Sequence, residues 1–433
     1  MSWATGFRLR QYIKASLWIV PLGGIIFGTV FAHFAVQVDG AGRLPADWRY
    51  SASTASSVLS SIVGSMIALL GFVVTIGVLV VQQATGTPSP RYMRLWYRDR
   101  LQKAVLATFT GTFAFAFSLL RSIESDSVPD LGVTLAGLAV AVSLLLLLVH
   151  LNRFTHNLRP VAIADLVVRR GQCVPARWAA ESARHGDREG DGGTVPMSGA
   201  ETTVIRSERG GRHPGVPRGG SAGCRGSPPL HARTHPPVGD FVVPGTPLIE
   251  VRGGVSAPDP RQLQGYIALG PERTVDQDPA FALRILVDIA IRALSPAVND
   301  PTTAVQVLNH IDVFLHAVGR SALRRSHVVA GERGRPLVIV PGRTWENYLQ
   351  LAVTEIREYG ATSTQACRRL RALLEGLLDT LPASHHDAVR AELTLLDASV
   401  RRHFADPAGR ATAGTGDRQG IGGGCEPAGP TSA

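Results

Sequence analysis

Lysine is nearly missing from this chain: of the 44 basic residues among 433, only Lys14 and Lys103 are lysines. The net charge of +10 is therefore an arginine bias, and with no aromatic-interleaved basic motif beside it nucleic-acid binding is not expected. Cysteine is sparse too. Cys173, Cys224, Cys367 and Cys425 lie far apart with no CxxC or Cys/His ligand spacing, which argues against a disulfide framework and a zinc site. Nor is there a nucleophile elbow, P-loop or HExxH stretch; Asp276, Asp278, Asp288 and Asp300 come without the partners acid/base chemistry needs. No enzyme, cofactor or metal centre is expected.

What the chain has in excess is apolar sequence, 45% of residues, concentrated in the first 152. Runs at 15–38, 57–83, 103–121 and 131–152 each suffice to cross a hydrocarbon core of about 30 Å. The first run is too long for a signal-peptide core. Arginine and lysine flank the runs unevenly: Arg8, Arg10 and Lys14 before the first, Arg91, Arg94, Arg98, Arg100 and Lys103 between the second and third, Arg153, Arg159, Arg169 and Arg170 after the fourth. Because short cytoplasmic loops retain basic residues, both termini are expected inside, while the loop holding Glu124, Asp126 and Asp130 is expected outside. Trp18, Trp48, Tyr50, Trp96 and Tyr97 sit near run ends, where amphipathic rings favour the interface.

The expected fold is an α-helical integral membrane protein: a membrane domain over 1–160, then a mixed, mainly helical α+β cytoplasmic part. In the second run Ser61, Gly64, Ala68, Gly71 and Thr75 put small side chains on one helical face. That stripe reads first as a helix-packing surface and second as the lining of a pore with Gln82 and Gln83 at its cytoplasmic mouth. No acidic or basic residue lies mid-run, which disfavours an ion-coupled transporter. His33 and His150, toward run ends, are expected at the interface.

A small β-containing subdomain is expected over 161–255. Within it, 180–237 is so rich in Gly, Arg, Pro, Ser and His that it reads as irregular, or as a frame-shifted stretch standing in place of strands. "VGDFVVPGTPLIEVRG" (238–253) then reads as strand, turn and strand. A mainly helical domain follows over 256–405. Asp278–Pro279 and Asp300–Pro301 each read as an N-cap followed by proline at the first helical position, and "LVIVP" (337–341) as a short strand. Between the two Asp-Pro starts lies "ALSPAVNDPTTA" (293–304), a corner of about five residues. Its structural reading is a helix-to-helix turn. The functional reading has Asn299, Asp300, Thr302 and Thr303 presenting oxygens and helix-start amides to a ligand, helped by Arg273, Arg284 or Arg292. His385 and His386 are adjacent, hence on different helical faces, and 406–433 reads as a disordered tail.

"QATGTPSPRYMRLWYRDRLQKAVLATFTGTF" (83–113), "GPERTVDQDPAFALRILVDIAIRALSPAVNDPTTA" and "VGDFVVPGTPL" resemble the bacterial predicted-membrane-protein family called domain of unknown function 2254. The likeness spans most of 10–172 and 238–404, with the corner its most specific part. It implies a bacterial inner-membrane protein with a cytoplasmic domain and no established activity. The 180–237 stretch departs from it. Two functional classes remain: an oligomeric pore or channel-like protein with a cytoplasmic sensing domain, and a membrane-anchored sensor or scaffold that binds a cytoplasmic partner without transport. The partners expected are the lipid bilayer and further copies of the chain.

Overall fold

The computed structural model describes residues 18–39, 50–86, 100–124, 128–157, 162–169, 202–207, 210–215, 231–252, 267–270, 278–321, 326–330 and 336–420, with isolated positions such as 16, 171, 273 and 323. Two compact units result, one of Gln11–Arg159 and one that includes Pro160–Ala433.

The first unit holds α1 (Ile19–Asp39), α2 (Ala52–Gly86), α3 (Arg100–Arg121) and α4 (Asp130–Asn157). Each carries a stretch long and apolar enough to cross a bilayer: Ile19–Val38, Ala52–Leu79, Leu101–Arg121 and Asp130–Arg153. Helix α3 is central and packs on the other three. Its crossing with α1 is the closest. A β-carbon at Gly24 would overlap the Ala107 carbonyl, and one at Gly28 the carbonyl of Gly111. In lipid, where burial of apolar surface gives helices no reason to associate, such close backbone approach is the main source of packing energy. Thr110 Oγ1 reinforces it, 3.0 Å from the Pro21 carbonyl. The Thr112 and Ser143 hydroxyls, 3.1 Å apart, join α3 to α4, and Asp130 accepts the Tyr50 N–H at 2.9 Å. Phe27, Val30, Leu145 and Leu148 point outward and are exposed, the apolar exterior a bilayer requires. His33 is exposed beside Gln37, whereas His150 is buried.

The second unit begins with α5 (162–169), whose Ile163, Ala164, Val167 and Val168 are buried. Its strands are β1 (Thr202–Arg206), β2 (Gly211–Gly215), β3 (His231–Thr234), β4 (Phe241–Val242), β5 (Pro247–Arg252), β6 (Ala268–Gly270), β7 (Ser326–Ala330) and β8 (Pro336–Pro341). They form a five-stranded sheet of order β1-β5-β3-β8-β7 and a three-stranded sheet of order β4-β2-β6. One expectation changes. The described residues of the segment 180–237, read as irregular, supply β1, β2 and β3, two of which flank β5 as antiparallel neighbours. The strand, turn and strand read over 238–253 are present as β4, the Pro244–Gly245 turn and β5, but the two strands do not pair with each other. Strands β4 and β5 belong to different sheets, because the turn at Pro244–Gly245, with Gly245 at φ 86° and its N–H on the Ser207 carbonyl (2.7 Å), carries the chain from one sheet to the other. Pro214 lies in β2 at a register shift against β6, where the ladder tolerates a residue without N–H.

Among the described residues six α-helices complete the unit: α6 (Pro279–Ala293), α7 (Pro301–Gly319), α8 (Trp345–Tyr359), α9 (Thr364–Thr380), α10 (His386–His403) and α11 (Pro407–Ala413). Asp278 and Asp300 cap α6 and α7 with proline next, Thr344 and Ser363 cap α8 and α9. Leu283, Ile285, Leu286, Leu308, Ile311 and Phe314 are fully buried; truncating one such leucine to alanine costs about 2–5 kcal/mol. In the stretch after 406, expected to be a disordered tail, residues 407–420 are folded: Asp406 caps α11, and Asp417 and Gly420 are buried.

Candidate functional site

The corner between α6 and α7 is built almost wholly by its backbone. Leu294 closes α6 by donating its N–H to Ala290 (3.0 Å), and the Val298 and Asn299 N–H groups both turn back to the Ser295 carbonyl (3.0 and 2.8 Å). Asn299 sits at φ 47°, the left-handed region that asparagine tolerates better than most residues. The Asp300 N–H then reaches the Ala293 carbonyl (2.8 Å), fastening the start of one helix to the end of the other.

The Asp300 carboxylate is spent locally. One oxygen accepts the Thr303 N–H (3.0 Å), the other the Thr303 hydroxyl (2.5 Å). Asp300 and Thr303 thus serve α7 itself, while Val298, Asn299 and Thr302 are exposed. Of the arginines expected to help, only Arg292 lies at the corner, in the last turn of α6. Arg284 is bound elsewhere: it donates to Asp288 (2.8 Å) and to both Glu355 oxygens, joining α6 to α8.

Arg273 is misplaced by the expectation. It ion-pairs with the buried Asp278 (2.6 Å) and lies over the Phe281 ring (5.4 Å), before the first residue of α6. Fifteen helical residues at 1.5 Å each, about 22 Å, separate that end from the corner. The Arg273–Asp278 pair is instead a packing joint. Gly239, at φ 100°, lies so close that a β-carbon there would strike the Asp278 carboxylate and come within 2.7 Å of the guanidinium. Tyr348 belongs to the same neighbourhood, and burial, with the Asp278 charge, pushes its phenol well above the ordinary value of 10.

The small-residue stripe of α2 also stands differently from its first reading. The face of α2 that enters the bundle is Ala55, Leu59, Ile62, Met66 and Val73. Ser61, Gly64, Ala68, Gly71 and Thr75 are all exposed, and nothing lies within 4 Å of a β-carbon at Gly64 or Gly71. The Ser61 and Thr75 hydroxyls donate to the Ser57 and Gly71 carbonyls of their own helix (both 2.9 Å), so the face carries little unspent polarity. Within one chain the packing role falls to Gly24 and Gly28 on α1, against Gly111 on α3. The signal was present as G-x-x-x-G in "GIIFG" (24–28). Gln83 lies outside the residues whose side chains are described.

Among the described residues, no three His, Cys, Asp or Glu side chains converge as a metal site would require. The His385 ring stacks on Trp345 (4.8 Å) and faces the Gly319 carbonyl (3.2 Å), while His386 faces the carbonyl of Leu381 (3.0 Å). Cys367 is buried, and that burial pushes its thiol up to about 11.

Comparison with known proteins gives the same picture of a membrane protein. Uncharacterized proteins of Mycobacterium bovis and Mycobacterium tuberculosis are 28% identical to the chain over 419 residues, covering 93% of it and 80% of their own length. No solved structure matches. The model of a family described as predicted membrane protein matches residues 14–376, and the chain belongs to that family, domain of unknown function 2254.

Proposed function

We propose that the chain is one subunit of a homo-oligomeric, multi-pass protein of the bacterial inner membrane, which forms a pore or channel-like path along the small-residue face of α2. Both termini lie on the cytoplasmic side, following the arginines that flank the spans, and the C-terminal unit acts there as sensor or gate. The observation that carries the reading is the division of labour on α2. Ala55, Leu59, Ile62, Met66 and Val73 serve the chain's own bundle, while Ser61, Gly64, Ala68, Gly71 and Thr75 stay open to a neighbour, beside the exposed Val58, Ile67, Phe72 and Val74. Small residues at helical spacing favour close association of helices in lipid. Hydroxyls satisfied by their own helix leave that face compatible with a partner helix or a water column. No catalytic step or cofactor enters the proposal.

The test is ion flux from proteoliposomes. The wild-type chain is expected to conduct and Gly71→Leu, which fills the face, to abolish or strongly reduce flux; a wild-type chain that reconstitutes as folded protein yet passes no ion ends the pore reading.

A second reading, a non-transporting scaffold, draws support from the corner, where Val298, Asn299 and Thr302 are exposed next to a rigid helix start. It expects a soluble partner to co-purify with the wild type and to be lost with Asn299→Ala. Retention of that partner by the variant would remove the corner from consideration.

A further inference from the structure

The segment after α11 carries almost nothing that normally holds a chain down. "TGDRQG" (415–420) has no large apolar side chain, and Arg418 and Gln419 are exposed. It is nevertheless docked in the groove between α7 and α9. The Asp417 N–H donates to the Arg368 carbonyl (3.1 Å), and Arg368 Nε donates to the carbonyl of Thr415 (3.2 Å). The Asp417 carboxylate, almost fully buried, lies 3.6 Å from the Arg368 guanidinium. Two glycines make the approach sterically feasible. A β-carbon at Gly416 would come within 2.7 Å of the Glu375 carboxylate and 3.5 Å of the Ala372 backbone. One at Gly420, whose φ is 68°, would lie 2.6 Å from Val305 and 3.1 Å from Arg369 Cβ.

The anchor is thus main chain plus one carboxylate. Ordering six residues costs backbone entropy that burying glycine surface hardly offsets, so the contacts of the Asp417 carboxylate, which faces Arg368 and also accepts the Gln419 N–H (2.9 Å), decide whether the segment stays. What it rests on matters as well. Val305 is one turn into α7, on the flank of the Asp300 start, and Arg369 beneath the segment donates to Asn309 (2.6 Å) and Asp312 (2.6 Å), tying α9 to α7.

We propose that the α7–α9 groove is a peptide-docking surface with Arg368 as its carboxylate-recognising residue, and that residues 415–420 are its resident, detachable ligand. The groove selects a short glycine-flanked segment carrying one aspartate. When the strap leaves, Val305 in the first turns of α7 loses the cover that Gly420 gives it.

The experiment is hydrogen exchange by mass spectrometry on the full chain in nanodiscs. Asp417→Asn is expected to raise exchange at 415–420 and at 301–308 at least tenfold while α8 stays as protected as in the wild type. Wild type in 1 M NaCl, where the ion pair is screened, should show the same local pattern, which keeps the test valid if the variant unfolds. A chain ending at Ala413 should regain protection at 301–308 when millimolar synthetic peptide 411–423 is added, and should not regain it with the Asp417→Asn form of that peptide. A strap that stays protected in both high salt and the variant, or that leaves without changing 301–308 and is not replaced by peptide, overturns the proposal.

Discussion

Asp278 and Asp300 occupy equivalent places in the sequence, each an N-cap followed by proline, yet their replacement by alanine should have very different consequences. Asp300 has only its own helix to serve, accepting from Thr303 N–H and hydroxyl at a partly exposed site. Losing it removes a cap, about 1 kcal/mol. Asp278 caps α6 through the Phe281 N–H (3.1 Å) but is also 2% exposed and ion-paired at 2.6 Å with Arg273, itself 19% exposed. Removing one partner of a buried pair strands the other charge at about 3–5 kcal/mol. Because Arg273 keeps some access to water, the lower part of that range applies, and with the cap the total is about 3–4 kcal/mol. The two variants should therefore differ by roughly 2–3 kcal/mol, on the order of 30- to 160-fold in local opening. Hydrogen exchange of α6 and α7 peptides across a urea series, on the full chain in nanodiscs, measures both. Asp278→Asn, which keeps the cap and loses the charge, should fall between. Equal effects of Asp278→Ala and Asp300→Ala would refute the reasoning.

Other perturbations follow from single contacts. Burial raises the Glu392 carboxyl above its ordinary 4.5, with Arg357 at 3.6 Å compensating only in part. The folded state then holds that proton more tightly than the unfolded one, so the penalty is absent below pH 4.5 and grows as pH rises through the folded value. Glu392→Gln should accordingly raise the melting temperature at pH 7 to 8 and leave it unchanged at pH 4; the same gain at both would show the carboxyl is not the cause. Gly28→Leu, forced against the Gly111 carbonyl, should destabilise the α1–α3 contact by about 1–3 kcal/mol, whereas Gly23→Leu, with open space around it, should not; thermal unfolding in detergent separates the two. At Asn299 a branched side chain is strained by the positive φ, so Asn299→Val should cost about 1–2 kcal/mol in thermal unfolding while Asn299→Gly is tolerated.

Features set by a few neighbouring residues were legible in the sequence. The two Asp-Pro helix starts and the turn between them depend on local hydrogen bonds and on proline's missing N–H, and they stand where the residues put them. The four spans depend only on length and apolarity. Strands β1 and β3 were not legible, because "HART" has no apolar alternation and becomes a strand only through its register with β5 and β8. Turn composition around Pro244–Gly245 announces a reversal but not that its two arms join different sheets. The Gly-rich strap failed for the opposite reason: a composition that signals disorder also permits close docking when a groove meets it. For α2 the stripe itself was plain, but which face turns to the chain's own bundle is a tertiary fact, decided by α3. Arg273 shows how closeness in sequence misleads: a helix of 15 residues carries its two ends apart.

The open face of α2 is proposed to join one copy of the chain to another in a bilayer. Subunit counting by stepwise photobleaching of single labelled particles in lipid tests this directly. The wild-type protein should bleach in two or more steps and the Gly64→Leu, Gly71→Leu double variant in one; a wild-type protein that bleaches in a single step at every density would contradict it.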